Sequence, residues 1–203
     1  MSVVPLTNVG RNRDAPVAQR RADDPSTYGA GVGHLNVEIK ARCARPQLAL
    51  DLLIGLGARL QGVDFQTDVY YRVPKGRLKL RRGTIENNLI QYDRPDTQAP
   101  KQSQVHLLIV GTNRALDEVL DAALHRDVVV SKQRHILWLG NVKFHVDEVT
   151  GLGSFLEIEA IDRDGTLGSQ HLMAQCQQYL QLLDVHDNDL EGRSYSDMLR
   201  RPA

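Results

Sequence analysis

The sequence predicts an α+β domain, an antiparallel sheet of about eight strands that curls or closes on itself, with helices packed on its outside. Three observations lead there. About eight segments alternate apolar and polar residues with the period of a strand. Helical segments fall between them irregularly, without the βαβ rhythm of a parallel sheet. A sheet of so many strands curls or closes, because closure removes exposed edges. The 203 residues, 41% hydrophobic and 25% charged, suffice to bury a core around such a sheet.

Residues 1–33 carry Pro5, Pro16, Pro25, Gly10, Gly29, Gly31 and Gly33 without any period, and read as a poorly ordered extension ahead of a domain at 34–203. From Leu35 the pattern becomes strict alternation: Leu35, Val37, Ile39 and Ala41 on one face of a strand, Asn36, Glu38, Lys40 and Arg42 on the other. Pro46 opens a helix with Leu48, Leu52, Leu53, Leu56 and Leu60 at helical spacing. Strands follow at 65–73, 77–82, 88–94 and 104–110, set apart by Pro74, Gly76, Gly83, Pro95 and Pro100. Asn113 is the N-cap of a second helix bearing Leu116, Val119, Leu120, Ala123 and Leu124 on one side. Strands at 128–139, 142–149 and 154–161 complete the set, and Leu172, Cys176, Tyr179, Leu180 and Leu183 mark a third helix.

Composition excludes several function classes. The 25 Lys and Arg balance 25 Asp and Glu, which argues against a general nucleic-acid or membrane partner. No apolar run reaches the roughly 18 residues of a membrane span. Cys43 and Cys176 make no metal spacing, and a reduced, cytoplasmic protein is the default. The glycine-rich phosphate-loop and dinucleotide fingerprints are absent. The seven histidines show no metal-ligand spacing; only His145 sits on a functional-looking face, where a structural role is equally open. Ser103 and Ser131 have no identifiable base partner, while Tyr70, Tyr71, Tyr92 and Trp138 read as core aromatics before base-stacking ones.

The informative feature is which charges share a strand face. Glu38, Lys40 and Arg42 do; so do Arg77, Lys79 and Arg81, then Lys132 and Arg134, His145 and Asp147, and finally Glu157 and Glu159. Each set alone reads as the solvated side of an antiparallel sheet. Together they give a polar face dominated by cations, with carboxylates confined to the first and last strands. Such a face repels itself unless it holds an anion. Turned inward, it makes a cationic tunnel able to give a phosphate charge-assisted hydrogen bonds from several directions. Carboxylates at its rim suit a hard divalent cation.

In order and spacing these pieces also resemble the CYTH family, or triphosphate tunnel metalloenzymes, and within it the class IV adenylate cyclase branch. The matching stretches, in one-letter code, are NVEIKAR from Asn36, QTDVYY from Gln66, GRLKLR from Gly76, LIQYDRP from Leu89, VSKQR from Val130, VDEV from Val146, GLGSFLEIE from Gly151 and SYSDML from Ser194. The resemblance implies an eight-stranded tunnel that binds a triphosphate with Mg²⁺ or Mn²⁺ and either cyclises ATP or hydrolyses a nucleoside, inorganic or thiamine triphosphate. It implies a closed antiparallel β-barrel with its helices outside; a monomer or homodimer is expected, and composition adds no nucleic-acid or membrane partner. Carried over by position, Glu38, Asp147, Glu157 and Glu159 hold metal, with orienting a basic neighbour as the alternative for Asp147. Lys40, Lys79, Arg81, Arg94, Lys132 and Arg134 bind the phosphate chain, with Lys40, Lys132 and Arg134 catalytic and Arg42 and Lys101 secondary. One departure stands out: the family opens Glu-x-Glu-x-Lys, and this chain has Asn36 at the first position. That substitution keeps open a non-catalytic polyphosphate- or nucleotide-binding module.

Overall fold

The computed structural model describes residues 34–93 and 101–200. The extension assigned to residues 1–33 and the candidate Arg94 lie outside the described residues. Eight strands are formed: β1 (His34–Arg42), β2 (Arg59–Tyr71), β3 (Arg77–Arg82), β4 (Asn87–Asp93), β5 (Lys101–Ile109), β6 (Arg126–Leu139), β7 (Val142–Val149) and β8 (Gly153–Asp162). Four helices accompany them: α1 (Pro46–Gly55), α2 (Ala115–Ala123), α3 (Gly168–Leu182) and α4 (Tyr195–Leu199). All strand pairs are antiparallel. Their order is β1-β5-β4-β3-β2-β6-β7-β8, and β8 pairs back to β1, so the sheet forms a closed barrel.

The main hydrophobic core lies outside this barrel. Val37 and Ile39 of β1, Phe144 and Val146 of β7, and Leu156, Ile158 and Ala160 of β8 turn outward and pack under α1 and α3. Leu172 and Cys176 of α3 complete the layer, with Tyr179 edge-on to Phe144 at 4.9 Å. Each buried aliphatic side chain there contributes about 1.5–3 kcal/mol. Because apolar residues are spent on the outer face, alternation delivers the polar partners to the interior. Asn36, Lys40, Asp64, Asp68, Arg81, Lys132, Arg134 and Asp147 are accordingly buried despite their charge or polarity.

Helix details depart from the sequence pattern. α1 begins at Pro46 but buries Ala49, Leu50 and Leu53, while Leu48, Leu52 and Leu56 stay exposed. Gly57, at φ +90°, turns the chain just after the helix, so Leu60 belongs to β2 and is exposed there. The small Ala49 lets the helix approach the sheet on a face rotated from the leucine stripe. The N-cap of α2 is Arg114 rather than Asn113, whose side chain instead accepts from the Ala115 amide at 2.9 Å just ahead of the helix, and Leu116, Leu120 and Leu124 pack on Val69, Tyr71 and Leu80. Val119 and Ala123 face solvent.

Local chain packs at each end of the barrel. At one, α4 is held by a reciprocal Ser194–Asp197 capping box and buries Tyr195 among Tyr70, Val130, Val149 and Phe155. No helix had been expected there from periodicity. At the other, the turn between β3 and β4 folds over Asp64, whose carboxylate accepts bonds from the Thr84 hydroxyl and the Ile85 and Glu86 amides. Gly83 passes so close that a Cβ on it would stand 2.5 Å from Asp64 Oδ1, which is why the turn requires glycine. No helix among the described residues is long and apolar enough to cross a membrane.

Candidate anion site in the barrel interior

Register sets the rows of the interior. Lys40 stands opposite Glu157, and Glu157 opposite His145; Glu38 stands opposite Glu159, and Glu159 opposite Lys143. Arg134 lies between Asp64 and Asp147, and Asp68 between Arg81 and Val130. Since every partner is on the same face as its neighbour, one charged residue per strand brings the whole set into one interior.

Two ion clusters organise it. In the first, Asp68 accepts from Lys79 Nζ at 3.0 Å, Lys132 Nζ at 2.8 Å, Arg81 Nε at 2.8 Å and Arg81 Nη2 at 3.0 Å. Burial alone would raise the Asp68 carboxyl, but Arg81, Lys132 and Lys79 outweigh it and hold it well below its ordinary value. Arg81 reaches on to Glu86 at 2.8 Å, and Glu86 also accepts from Lys143 at 2.5 Å.

In the second cluster, Arg134 grips both oxygens of Asp147 and donates to Glu157 at 2.7 Å. Tyr195 donates its hydroxyl to Asp147 at 2.8 Å, His145 Nδ1 lies 3.2 Å from Glu157, and Lys40 Nζ lies 4.0 Å from Glu157. Burial works against the charge on Arg134, yet Asp147 and Glu157 keep the guanidinium well above its ordinary value. Burial lowers Lys40, with Glu157 opposing, and its ammonium sits 4.4 Å from the Tyr195 ring centroid.

The interior therefore gathers Lys40, Lys79, Arg81, Lys132 and Arg134, all five of the described cations assigned to the phosphate chain. Arg42 turns toward the rim, half exposed, 3.6 Å from Glu191. The Lys101 side chain lies outside the described residues. Asp147 uses both oxygens on Arg134, the arrangement of a residue that orients a cation.

The remaining acidic candidates form an oxygen-rich corner. Glu38 and Glu159 are cross-strand neighbours, and Asn36 Nδ2 donates to Glu159 at 2.5 Å. Asn36 Oδ1, buried on the same face, has no hydrogen-bond partner. Among the described residues no three carboxylate, histidine or cysteine side chains form a ready cage. Mg²⁺ does not need one: it keeps several waters and takes one or two carboxylates together with substrate phosphate oxygens. An orphaned amide oxygen beside two carboxylates is a hard-donor set that fits such an ion.

The CYTH domain family matches the sequence over residues 34–195, most of the chain and all eight strands. The chain belongs to the CYTH family. Solved structures agree on the fold. The PH1012 protein of Pyrococcus horikoshii OT3 is 24% identical, with a TM-score of 0.71 over 80% of this chain and 98% of that one. A candidate adenylate cyclase from Vibrio parahaemolyticus is 18% identical, at a TM-score of 0.69 over 84% and 100%. HpAC1 of Hippeastrum, described as having a dominant triphosphatase activity, is 11% identical, at a TM-score of 0.55 over 81% and 93%. No protein of curated function matches the sequence.

Within this CYTH domain the interior differs from the one read off charge alternation in one respect. Carboxylates are not confined to β1 and β8: Asp64 and Asp68 on β2, Glu86 in the β3–β4 turn and Asp147 on β7 all enter it. The cations are therefore paired internally rather than left to repel one another. Asp64, Gln66, Asp68 and Tyr70 alternate as strictly as the basic sets do, so the signal for Asp68 was present in the sequence. Glu86 gave none and Tyr195 gave no alternation, only its place in the SYSDML stretch, because they arrive from a turn and a short helix.

Proposed function

We propose that this CYTH protein is a metal-dependent enzyme acting on a triphosphate-containing small molecule whose phosphate chain runs along the interior cations. The observation that carries this reading is the convergence of Lys40, Lys79, Arg81, Lys132 and Arg134, from three strands, on one interior from which water is largely excluded. In such surroundings a charge-assisted hydrogen bond to phosphate is stronger than in water and is already oriented before the substrate arrives. Glu38, Glu159 and the Asn36 amide oxygen would hold Mg²⁺ or Mn²⁺, which when bound neutralises phosphate oxygens and acidifies water.

The chain's own residues then have distinct tasks. Lys79, Arg81 and Lys132 seat one phosphoryl group, and Lys40 and Arg134 lie along the next part of the chain. As a phosphorus–oxygen bond breaks, charge gathers on the leaving oxygens and on the equatorial oxygens of the transferred group, where these donors stabilise it. Asp147 and Glu157 hold Arg134 in place. Tyr195 closes the α4 end of the interior against water.

One assay tests the reading: the purified chain with Mg²⁺ or Mn²⁺, offered ATP, inorganic triphosphate and thiamine triphosphate. Orthophosphate as product identifies a triphosphatase, and cyclic AMP with pyrophosphate a cyclase. Failure to bind or turn over any of the three overturns the proposal.

Asn36 favours a second reading, a binding module without turnover, because an amide stands where a third carboxylate would complete the metal corner. Asn36→Glu separates the two. It removes the donor to Glu159 and sets a carboxylate against it, so the metal-free variant is expected to lose about 1–3 kcal/mol. Mg²⁺ or Mn²⁺ should restore the melting temperature and reach half-saturation at a lower concentration than in the natural chain. A raised substrate requirement with no metal effect would instead make Asn36 a phosphate contact.

A further inference from the structure

We propose that Asp68 is the positioning residue of a proton-linked phosphoryl seat: it gathers Lys79, Arg81 and Lys132, and Lys132 gains a proton when a phosphoryl group enters beside them. The inference rests on the triphosphate reading and names a control built into that site.

The geometry is one buried carboxylate against three cations. Asp68 is 1% exposed and takes four donors, two from Arg81 and one from each lysine. Its single negative charge cannot balance three positive ones. Arg81 draws further compensation from Glu86, itself shared with Lys143. Lys132 leans on Asp68 with a side chain wholly withdrawn from solvent. The groups facing it are Asp68 from β2, Lys79 and Arg81 from β3, Arg134 along β6 and the Tyr195 ring of α4 at 6.0 Å. Its register neighbours are Gln66 on β2 and Val149 on β7.

Burial, opposed by Asp68 but reinforced by Arg81, Arg134 and Lys79, brings the Lys132 ammonium down to about 7. In the empty seat near neutral pH, Lys132 is therefore partly an amine. A dianionic phosphoryl group supplies the missing negative charge, and the amine lone pair takes a proton from the buffer. The resulting ammonium donates to a phosphate oxygen. Asp68 does not touch the substrate in this scheme; it keeps three long side chains on one point and keeps Lys132 protonatable at neutral pH.

The test is calorimetric titration of the full chain with inorganic triphosphate at fixed Mg²⁺, from pH 6 to pH 8.5, in buffers of different ionisation enthalpy. The natural chain should take up more protons on binding than Lys132→Arg, whose guanidinium stays charged throughout. Asp68→Asn removes the anion and lowers Lys132 further. Its affinity should already be falling near pH 6, where that of the natural chain is still level, and should lie about tenfold lower at pH 8.5 for each further unit of displacement. Adding Lys132→Arg to Asp68→Asn should remove that early fall. A merely structural role for Asp68 would weaken binding equally at every pH, and parallel pH profiles overturn the proposal while leaving the triphosphate reading standing. Should Asp68→Asn not fold, the natural chain and Lys132→Arg decide alone: equal proton uptake overturns the proposal. No binding by the natural chain at any pH overturns the functional reading and this proposal together.

Discussion

Arg134→Ala is expected to lose at least about a hundredfold in turnover of the triphosphate and about 3–5 kcal/mol of stability together. On the proposed function, the rate loss follows from removing a charged donor to the transferring phosphate. The stability loss has a separate origin in the unliganded fold: Asp147 is 1% exposed and would be left with the Tyr195 hydroxyl, while Glu157 would keep only Lys40 and His145. For a domain of this size the melting temperature should fall by about 6–20 °C. The pH dependence carries a further signature. In the natural chain burial would raise the Glu157 carboxyl, but Arg134 and the His145 contact hold it well below 4.5, so it contributes stability above that range and loses it as pH falls. In the variant the burial effect is less opposed, and protonation relieves rather than costs. The gap between the two proteins should narrow as pH drops toward 4.5. Thermal melts across pH, beside a phosphate-release assay, check both parts; an unchanged melting temperature would contradict the role given to this arginine.

Lys132→Ala is expected to lose a similar hundredfold or more in turnover but to keep its stability within about 1 kcal/mol of the natural chain's. Lys132 and Arg134 are two residues apart on one strand face, and alternation gives no reason to treat them differently. Their partners do. Asp68 retains Arg81 and Lys79 when Lys132 is removed, so no buried carboxylate is abandoned. The lysine itself holds its proton weakly, and losing it relieves repulsion with Arg81, Arg134 and Lys79. Paired melts and rates for the two alanine variants would show one protein that is inactive and fragile and another that is inactive and sound. A collapse of Lys132→Ala would contradict the balance described for the Asp68 cluster.

That contrast shows where the sequence was informative. All eight strands were legible, because period-two alternation survives wherever one face meets apolar packing and the other meets charge. The interior cations followed directly, since Lys79 and Arg81, or Lys132 and Arg134, cannot face the helices. What alternation cannot report is which carboxylate meets which cation. Asp68 and Arg81 are paired by register across two strands, and register depends on turns and bulges such as the shift between Leu60 and Gly62. Glu86 and Tyr195 were hidden for a different reason: a turn and a five-residue helix carry no period long enough to read. The α1 leucine stripe misled because a short helix needs only Ala49, Leu50 and Leu53 to dock, leaving its remaining apolar residues free to vary.

The closure of the sheet has a consequence for how the protein is made. Asn36 meets Glu159 across 123 residues of chain, so the seam between the first and last strands is among the most distant contacts in the molecule. Folding dominated by such contacts is slow, because the loop-closure entropy is lost before the contact forms. On the ribosome β1 emerges early, and the edge it offers β8 stays unpaired until residue 162 has been added. Throughout that interval the nascent chain presents a bare strand edge with Glu38 and Lys40 in its middle. Those inward charges disfavour pairing with a foreign hydrophobic strand, so residues that line the interior of the finished barrel also guard the open seam against aggregation.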